Sequence, residues 1–426
     1  MSEGWKEDEA ARSEPVPYFC TPQPPQQHLS AVQRTRCAYT RAVPSREAVV
    51  AVPFRLICLL VLGHISFTGG RFTLTLQAVA LKASPLSIGL LMSLMMVVPM
   101  VLAVHMGRWA DRLGFARPAL LGLGVLAAAS LLAAAAPSIA VLCVASIFIG
   151  SGFTLAHVAL NNAVGQLAAP NQLTRAFSML ALGFSISGMT GPLISGFIID
   201  RFGHAVTFLC LMFFALASVG MLIPFAREAA QTRPPAAPAQ AASVIDLLRH
   251  GPLRTVLFVS ALLSMGWDVF TFVAPLHAVR SGLNATEAGL LMGSFGAGTF
   301  AIRLLLPALA ARVTEWRALS WALFVTALCY VIFPLTHTLP VMLASSFAMG
   351  LSLGCGQPMA MSLLHLTAPP SRAGEAVGVR SSIVSATQTL FPLLFGALGS
   401  ALGVAAVFWA AAAVMASGGA FARRIK

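Results

Sequence analysis

From Phe54 onward, apolar runs of about 20 residues follow one another with only short breaks. A helix rises about 1.5 Å per residue and satisfies its own backbone polar groups, so each run is long enough to cross the hydrocarbon of a bilayer. Twelve runs are expected, at roughly 54–80, 85–106, 117–136, 139–163, 176–199, 204–225, 254–279, 285–307, 318–335, 340–364, 377–399 and 402–421. Composition agrees: 426 residues that are 58% hydrophobic and 10% charged, with mean hydropathy +0.83, hold more apolar side chain than one soluble core can bury. The pattern predicts an all-α membrane protein of twelve transmembrane helices.

The net charge of +13 raises nucleic acid as a partner. The basic residues are instead scattered through short links, with no single patch interleaved with stacking aromatics. One set of links holds Arg108, Arg112, Arg117, Arg175, Arg227, Arg233, Arg249, Arg312, Arg317 and Arg372, and the C-terminal end adds Arg423, Arg424 and Lys426. The opposite set has little beyond Lys82, Arg201 and Arg280. The positive-inside rule then places both termini in the cytoplasm, as for a bacterial-type inner membrane. Seven cysteines without a C-x-x-C pair suggest neither a disulfide framework nor a metal site. No phosphate-cradling loop, paired carboxylates or nucleophile with an adjacent base argues for an enzyme, and no cofactor is implied.

Residues 1–52 hold six of the fourteen acidic residues and the Pro/Gln-rich stretch Thr21–Gln27. They are expected to form a disordered cytoplasmic tail, either an inert extension or a regulatory arm, and they lack the short apolar core of a secretory signal. The longest internal link, residues 227–253, carries Pro234, Pro235 and Pro238 and then Ser243–Arg249, which reads as a short amphipathic helix with Asp246 in its first turn. It divides the spans into halves at 53–226 and 254–426. The halves repeat. A shift of 200 residues carries Gly89-Leu90-Leu91-Met92 onto Gly289-Leu290-Leu291-Met292, Arg112 and Arg117 onto Arg312 and Arg317, and Pro192 and Gly196 onto Pro392 and Gly396.

Between the second and third spans lies Gly107-Arg108-Trp109-Ala110-Asp111-Arg112-Leu113-Gly114-Phe115-Ala116-Arg117. Gly107 would permit close helix approach, Asp111 could accept from the N-terminal amides of a neighbouring helix, and the arginines would hold the link in the cytoplasm. The stretch resembles the loop between helices 2 and 3 of the major facilitator superfamily, G-x-x-x-D-[RK]-x-G followed by basic residues. The resemblance implies two pseudo-symmetric six-helix halves that alternate access, with helices 1, 4, 7 and 10 lining the path, and a gate at Gly107, Asp111, Arg112, Gly114 and Arg117. In the second half Pro307, Ala311 and Thr314 replace Gly107, Asp111 and Gly114, and Arg303 sits where the family often has an arginine near the inner end of helix 8. Gly188-Met189-Thr190-Gly191-Pro192-Leu193-Ile194-Ser195-Gly196 is similar to the glycine and proline signature of exporters, with Gly188, Gly191, Pro192 and Gly196 as packing or hinge residues. One departure bears on coupling: Ser146, before Gly150-Ser151-Gly152, stands where many proton-coupled members carry an arginine.

His64, Thr68, Arg71 and Thr75 recur at i, i+4, i+7 and i+11, so they form one polar stripe along an apolar helix. Ser264, Asp268, Thr271 and Pro275 repeat it in the second half. Asp268 is the one acidic residue well inside an expected span, and a mid-bilayer ion costs at least about 2.5 kcal/mol, so Arg71 and Asp268 should face a cavity or each other. Thr154, His157 and Asn161 share a face of the fourth span, with Gln357 opposite His157 in the repeat. His157 is either a proton relay or a hydrogen-bonded packing histidine. The expected cavity therefore comprises His64, Thr68, Arg71, His157, Asn161, Asp268, Thr271 and Gln357. The function expected of it is proton-coupled export of a small organic, drug-like solute by a monomer in the lipid bilayer. Two alternatives stand: uptake of a small anion with Arg71 as counter-ion, and a non-transporting membrane sensor or scaffold.

Overall fold

The computed structural model describes residues 46–167, 172–229, 250–310, 312–368 and 373–425. All regular elements among the described residues are helical. In chain order they are α1 (Arg46–Ala80), α2 (Pro85–Leu113), α3 (Ala116–Ala135), α4 (Ile139–Leu167), α5 and α6 (one run, Leu173–Ala229), α7 (Gly251–Arg280), α8 (Ala285–Ala310), α9 (Glu315–Ile332, closed by a 3-10 turn Phe333–Leu335), α10 (Leu339–Thr367), α11 (Ala373–Leu402) and α12 (Val404–Arg423). The run Leu173–Ala229 breaks at Gly203, whose φ of 81° and ψ of 174° lie outside any helix, giving α5 (173–202) and α6 (204–229). Eleven stretches of the described residues are long and apolar enough to cross a membrane, and one of them, Arg175–Pro224, contains that break. Resolved at Gly203, they make twelve transmembrane helices in a multi-pass membrane protein.

Helix α1 outruns the apolar signal at its start and α2 at its end. Helix α1 begins at Arg46, so residues 46–52 belong to it rather than to a tail. The charged link after the second span is mostly helix: α2 runs through Gly107, Asp111 and Arg112, leaving Gly114 and Phe115 between α2 and α3. Hydropathy marks where lipid ends, whereas the backbone hydrogen-bond ladder continues into polar sequence. Residues 1–45 and the expected amphipathic segment Ser243–Arg249 lie outside the described residues.

Within the first half α2 packs on α4, and α3 on α4 and α6; within the second, α8 packs on α10, and α9 on α10 and α12. These are the same partners shifted by one half. Small residues set the closest approaches: a side chain at Gly150 would strike the Met95 carbonyl, and one at Gly350, 200 residues on, the Phe295 carbonyl. The halves meet along α5 against α8 and α2 against α11. There the repeat becomes contact. A Cβ at Gly289 would lie 2.7 Å from the Pro192 carbonyl oxygen and 3.5 Å from the Gly196 Cα, and one at Gly89 would strike the Pro392 carbonyl and lie 3.1 Å from the Gly396 Cα.

Candidate functional site

Two polar groups cross between the halves, one lies inside the first half, and a fourth closes one rim. The first joins α1 to α7: Arg71 Nη2 is 3.8 Å from Asp268 Oδ1, and Asp268 is 1% exposed. Neither Asp268 oxygen has a hydrogen-bond partner, so attraction between the charges holds the pair without directed bonds. Thr75 and Thr271 of the two stripes turn inward on their own helices, Thr75 donating to Arg71 O (3.0 Å) and Thr271 to Trp267 O (3.0 Å). Tyr330 of α9 fixes α7 just below the carboxylate by donating to Gly266 O.

The second group is a cluster of rings from α1, α4 and α5. The His64 ring lies 4.7 Å from Phe184 and 5.3 Å from Phe153, centroid to centroid. Phe153 stacks on Phe67 at 4.3 Å, and His157 stacks on Phe184 at 5.2 Å. His64 Nδ1 is 2.5 Å from Ser187 Oγ, and His157 Nε2 is 3.2 Å from Asn161 Nδ2. His157 Nδ1 and Asn161 Oδ1 are buried without a partner. Thr68 serves packing, its hydroxyl lying 2.9 Å from His64 O and 3.1 Å from Ser187 O, so that α1 is laced to α5.

Arg303 supplies the third group. From α8 it reaches into the other half, where Nη1 donates to Ala181 O and, at 2.7 Å, to Ser185 Oγ of α5, while Nε is buried and unpartnered.

The fourth group closes the rim where α2 and α8 begin. Asp200, at the end of α5, accepts from the amides of Ala285 (3.1 Å) and Thr286 (2.7 Å) and from the Thr286 hydroxyl. These are orphan N–H groups of the first turn of α8, where the helix dipole favours a carboxylate. The same turn carries a reciprocal cap, Glu287 N to Asn284 Oδ1 and Asn284 N to Glu287 Oε2, each 2.8 Å. On the opposite pair of helices Ser400, at the end of α11, accepts from Leu86 N at 2.9 Å. Ser400 is Asp200 shifted by 200 residues.

The structure thus joins Arg71 to Asp268, and His64, Thr68, His157 and Asn161 into one neighbourhood. Gln357 is exposed on α10. Two glycines lack the packing expected of them. Beyond its own helix, no heavy atom of the described residues lies within 4 Å of a Cβ at Gly107; α2 makes a close approach at its other end, through Gly89. Gly188 is equally open. On a helical wheel it falls about 60° from Gly191, which touches α1, and about 80° from Gly196, which touches α8, so it faces the gap between them. Sequence reasoning missed Asp200, Ser400, Ser187 and the phenylalanines Phe67, Phe153 and Phe184. Asp200 had a readable signal: Gly196-Phe197-Ile198-Ile199-Asp200-Arg201-Phe202-Gly203 repeats the G-x-x-x-D-R-x-G of Gly107–Gly114.

Two helical halves related by a 200-residue shift, joined across a seam of buried charge, are the architecture of membrane carriers built from parallel repeats. Residues 56–340 and 319–425 match the model of the Major Facilitator Superfamily, and the chain belongs to that family. It is 26% identical over 246 residues to YuxJ, an uncharacterized MFS-type transporter of Bacillus subtilis (strain 168), covering 56% of this chain and 62% of that one. It is 28% identical over 218 residues to multidrug resistance protein D of Escherichia coli (strain K12), covering 50% and 51%. The matches therefore span about half to three-fifths of these relatives' length. Among solved structures it is similar in fold to a POT family transporter in complex with a thioalcohol-conjugated peptide, with TM-score 0.75 and 13% identity over 87% of this chain and 95% of that one.

Proposed function

We propose that this chain is a transporter, not an enzyme, and exports a small amphiphilic organic solute in exchange for protons. Its halves alternate access to the two sides of an inner membrane, and both termini lie in the cytoplasm. The observation that carries the reading is the Arg71–Asp268 pair, a charge contact that crosses from one half to the other inside the membrane. Taking two charges out of water is costly, and the missing hydrogen bonds leave that cost poorly offset. A proton on Asp268 removes its charge, releases Arg71 and loosens the tie, so proton occupancy and the arrangement of the halves become linked equilibria. Export is supported by the similarity to multidrug resistance protein D. Uptake of an anion with Arg71 as counter-ion has less support, since Asp268 already neutralises Arg71.

The test uses proteoliposomes and the amphiphile that most raises the melting temperature of the purified protein. Asp268→Asn should abolish flux driven by a pH gradient and keep exchange of solute for solute. Gradient-driven flux in the double variant Asp268→Asn, Arg71→Gln would remove Asp268 from the proton path and leave the pair as a structural tie. A chain that moves no solute in either mode would favour the sensor or scaffold.

A further inference from the structure

The charges in the seam do not balance. Arg71 is neutralised by Asp268. Arg303 on α8 and Arg380 on α11 have no carboxylate within 4.0 Å among the described residues, and their bonds go to neutral groups: Ala181 O and Ser185 Oγ for Arg303, Ser260 Oγ at 3.3 Å for Arg380. An intramembrane guanidinium without a counter-charge is costly and favours an anion wherever one can reach it. Arg303 is the better placed of the two. Its Nη1 is committed to α5, but Nε is buried with no partner, and the Nε edge of a guanidinium is one of those that pair side-on with a carboxylate.

What flanks Arg303 decides the rest of the ligand. Ala181 and Ser185, which hold the guanidinium, alternate along α5 with Phe184 and Ser187, which belong to the ring cluster; all four fit within about 9 Å of helix. His64, Phe153, His157 and Phe184 pack ring on ring, so a planar guest would slot between them as one more ring, and the unpartnered His157 Nδ1 and Asn161 Oδ1 offer polar edges. Aromatic faces alone would suit an organic cation equally well. The uncompensated arginines set the sign.

We propose that the solute is a planar aromatic carboxylate, its carboxylate held by Arg303 and its ring lodged among His64, Phe153, His157 and Phe184. This deepens the transport reading above and rests on it. Three probes of one shape and different charge, 2-naphthoate, 2-naphthamide and 2-naphthylmethylammonium, are titrated by calorimetry into the purified full-length chain. The carboxylate should bind at least about tenfold more tightly than the amide and tighter still than the ammonium. Arg303→Gln should weaken naphthoate by about tenfold or more and leave naphthamide unchanged, with Arg303→Lys falling between because it keeps charge without the planar edge. Tighter binding of the amide or the ammonium overturns the proposal while leaving the transport reading intact. Unchanged naphthoate affinity in Arg303→Gln, or no binding of any probe, overturns it too; the gradient-driven flux measurement judges the transport reading separately. The wild-type comparison decides the question even if the Arg303 variants fail to accumulate.

Discussion

The pattern G-x-x-x-D-R-x-G occurs twice, at Gly107–Gly114 and Gly196–Gly203, and the two copies sit at opposite ends of the bundle. Both end a helix the same way. Gly114 has φ 75° and Gly203 φ 81°, a left-handed conformation open to glycine at little cost, and each frees the chain to start the next helix. Their surroundings differ. At the second copy Gly196 lies against the backbone of Ala285, and Asp200 caps α8. At the first, beyond its own helix, no heavy atom of the described residues comes within 4 Å of where a Gly107 side chain would begin. One motif therefore appears in an engaged form and in a form whose glycine stands clear. At the second copy a helix end grips the N-terminus of a helix in the other half, at the rim where α2 and α8 begin.

The largest expected effect breaks this comparison by steric means. Gly196→Leu must displace the Ala285–Thr286 backbone, because the new Cβ would strike the Ala285 carbonyl oxygen and lie 3.0 Å from its carbon and 3.2 Å from the Thr286 Cα, and backbone yields poorly. It should cost about 3 kcal/mol or more and largely abolish accumulation of folded protein. Gly107→Leu meets no such obstacle and should melt within about 0.5 kcal/mol of wild type, although the gate reading expects it to cut transport. Scanning fluorimetry of the two variants, with flux for the second, checks both. Equal losses of stability would mean that the ends are gripped alike.

Next in size is Asp200→Ala, which strips two amides and a hydroxyl of their acceptor. Loss of a cap costs about 0.5 to 2 kcal/mol, and the charge puts this one at the upper end. Asp200→Asn should recover about half of that by keeping one acceptor oxygen. Equal melting temperatures for Asp200→Ala and wild type would show that water replaces the carboxylate without loss.

Much of this was legible in the sequence. Twelve spans followed from run length, because lipid requires a self-satisfied backbone, and the 200-residue shift marked Gly89, Gly289, Pro192 and Pro392 as repeat equivalents, though not that they would touch across the halves. The cost of burying either charge alone left Arg71 and Asp268 to face a cavity or each other, and the structure sets them 3.8 Å apart. Asp200 did not stand out, since an acid at a helix end beside arginine looks like a solvated surface group, and nothing in the local sequence says that the start of α8 lies against it. Ser187 and Phe184 were hidden for a related reason: on an all-apolar helix, periodicity does not reveal which face meets α1. The internal repeat identifies equivalent positions in the two halves but not which distant helices touch.

The smallest effect probes why the two capped helix starts use different acceptors. At α8, Ala285 and Thr286 both present amides, and Asp200 gives each an oxygen. At α2 the equivalent first position is Pro85, which has no N–H; Leu86 bonds to Ser400, and the Ser87 amide is taken by Ser84 Oγ at 3.1 Å. One hydroxyl there serves one amide. Ser400→Asp alone should therefore add only the dipole benefit of an exposed carboxylate, about 0.3 kcal/mol. Pro85→Ala alone should cost about 0.4 to 1 kcal/mol, by loosening the unfolded chain and by exposing an amide that the single Ser400 oxygen, held on Leu86 N, is not placed to reach. Together they rebuild the arrangement at α8, so the double variant should be more stable than the sum of the singles by about 0.5 kcal/mol or more. If the rim must part in every transport cycle, the doubly capped α2 should also turn over more slowly than wild type despite melting at nearly the same temperature. Additive stabilities in the four-way cycle would mean that the match between acid and amide count is incidental, and the two rims would then be alike only in sequence.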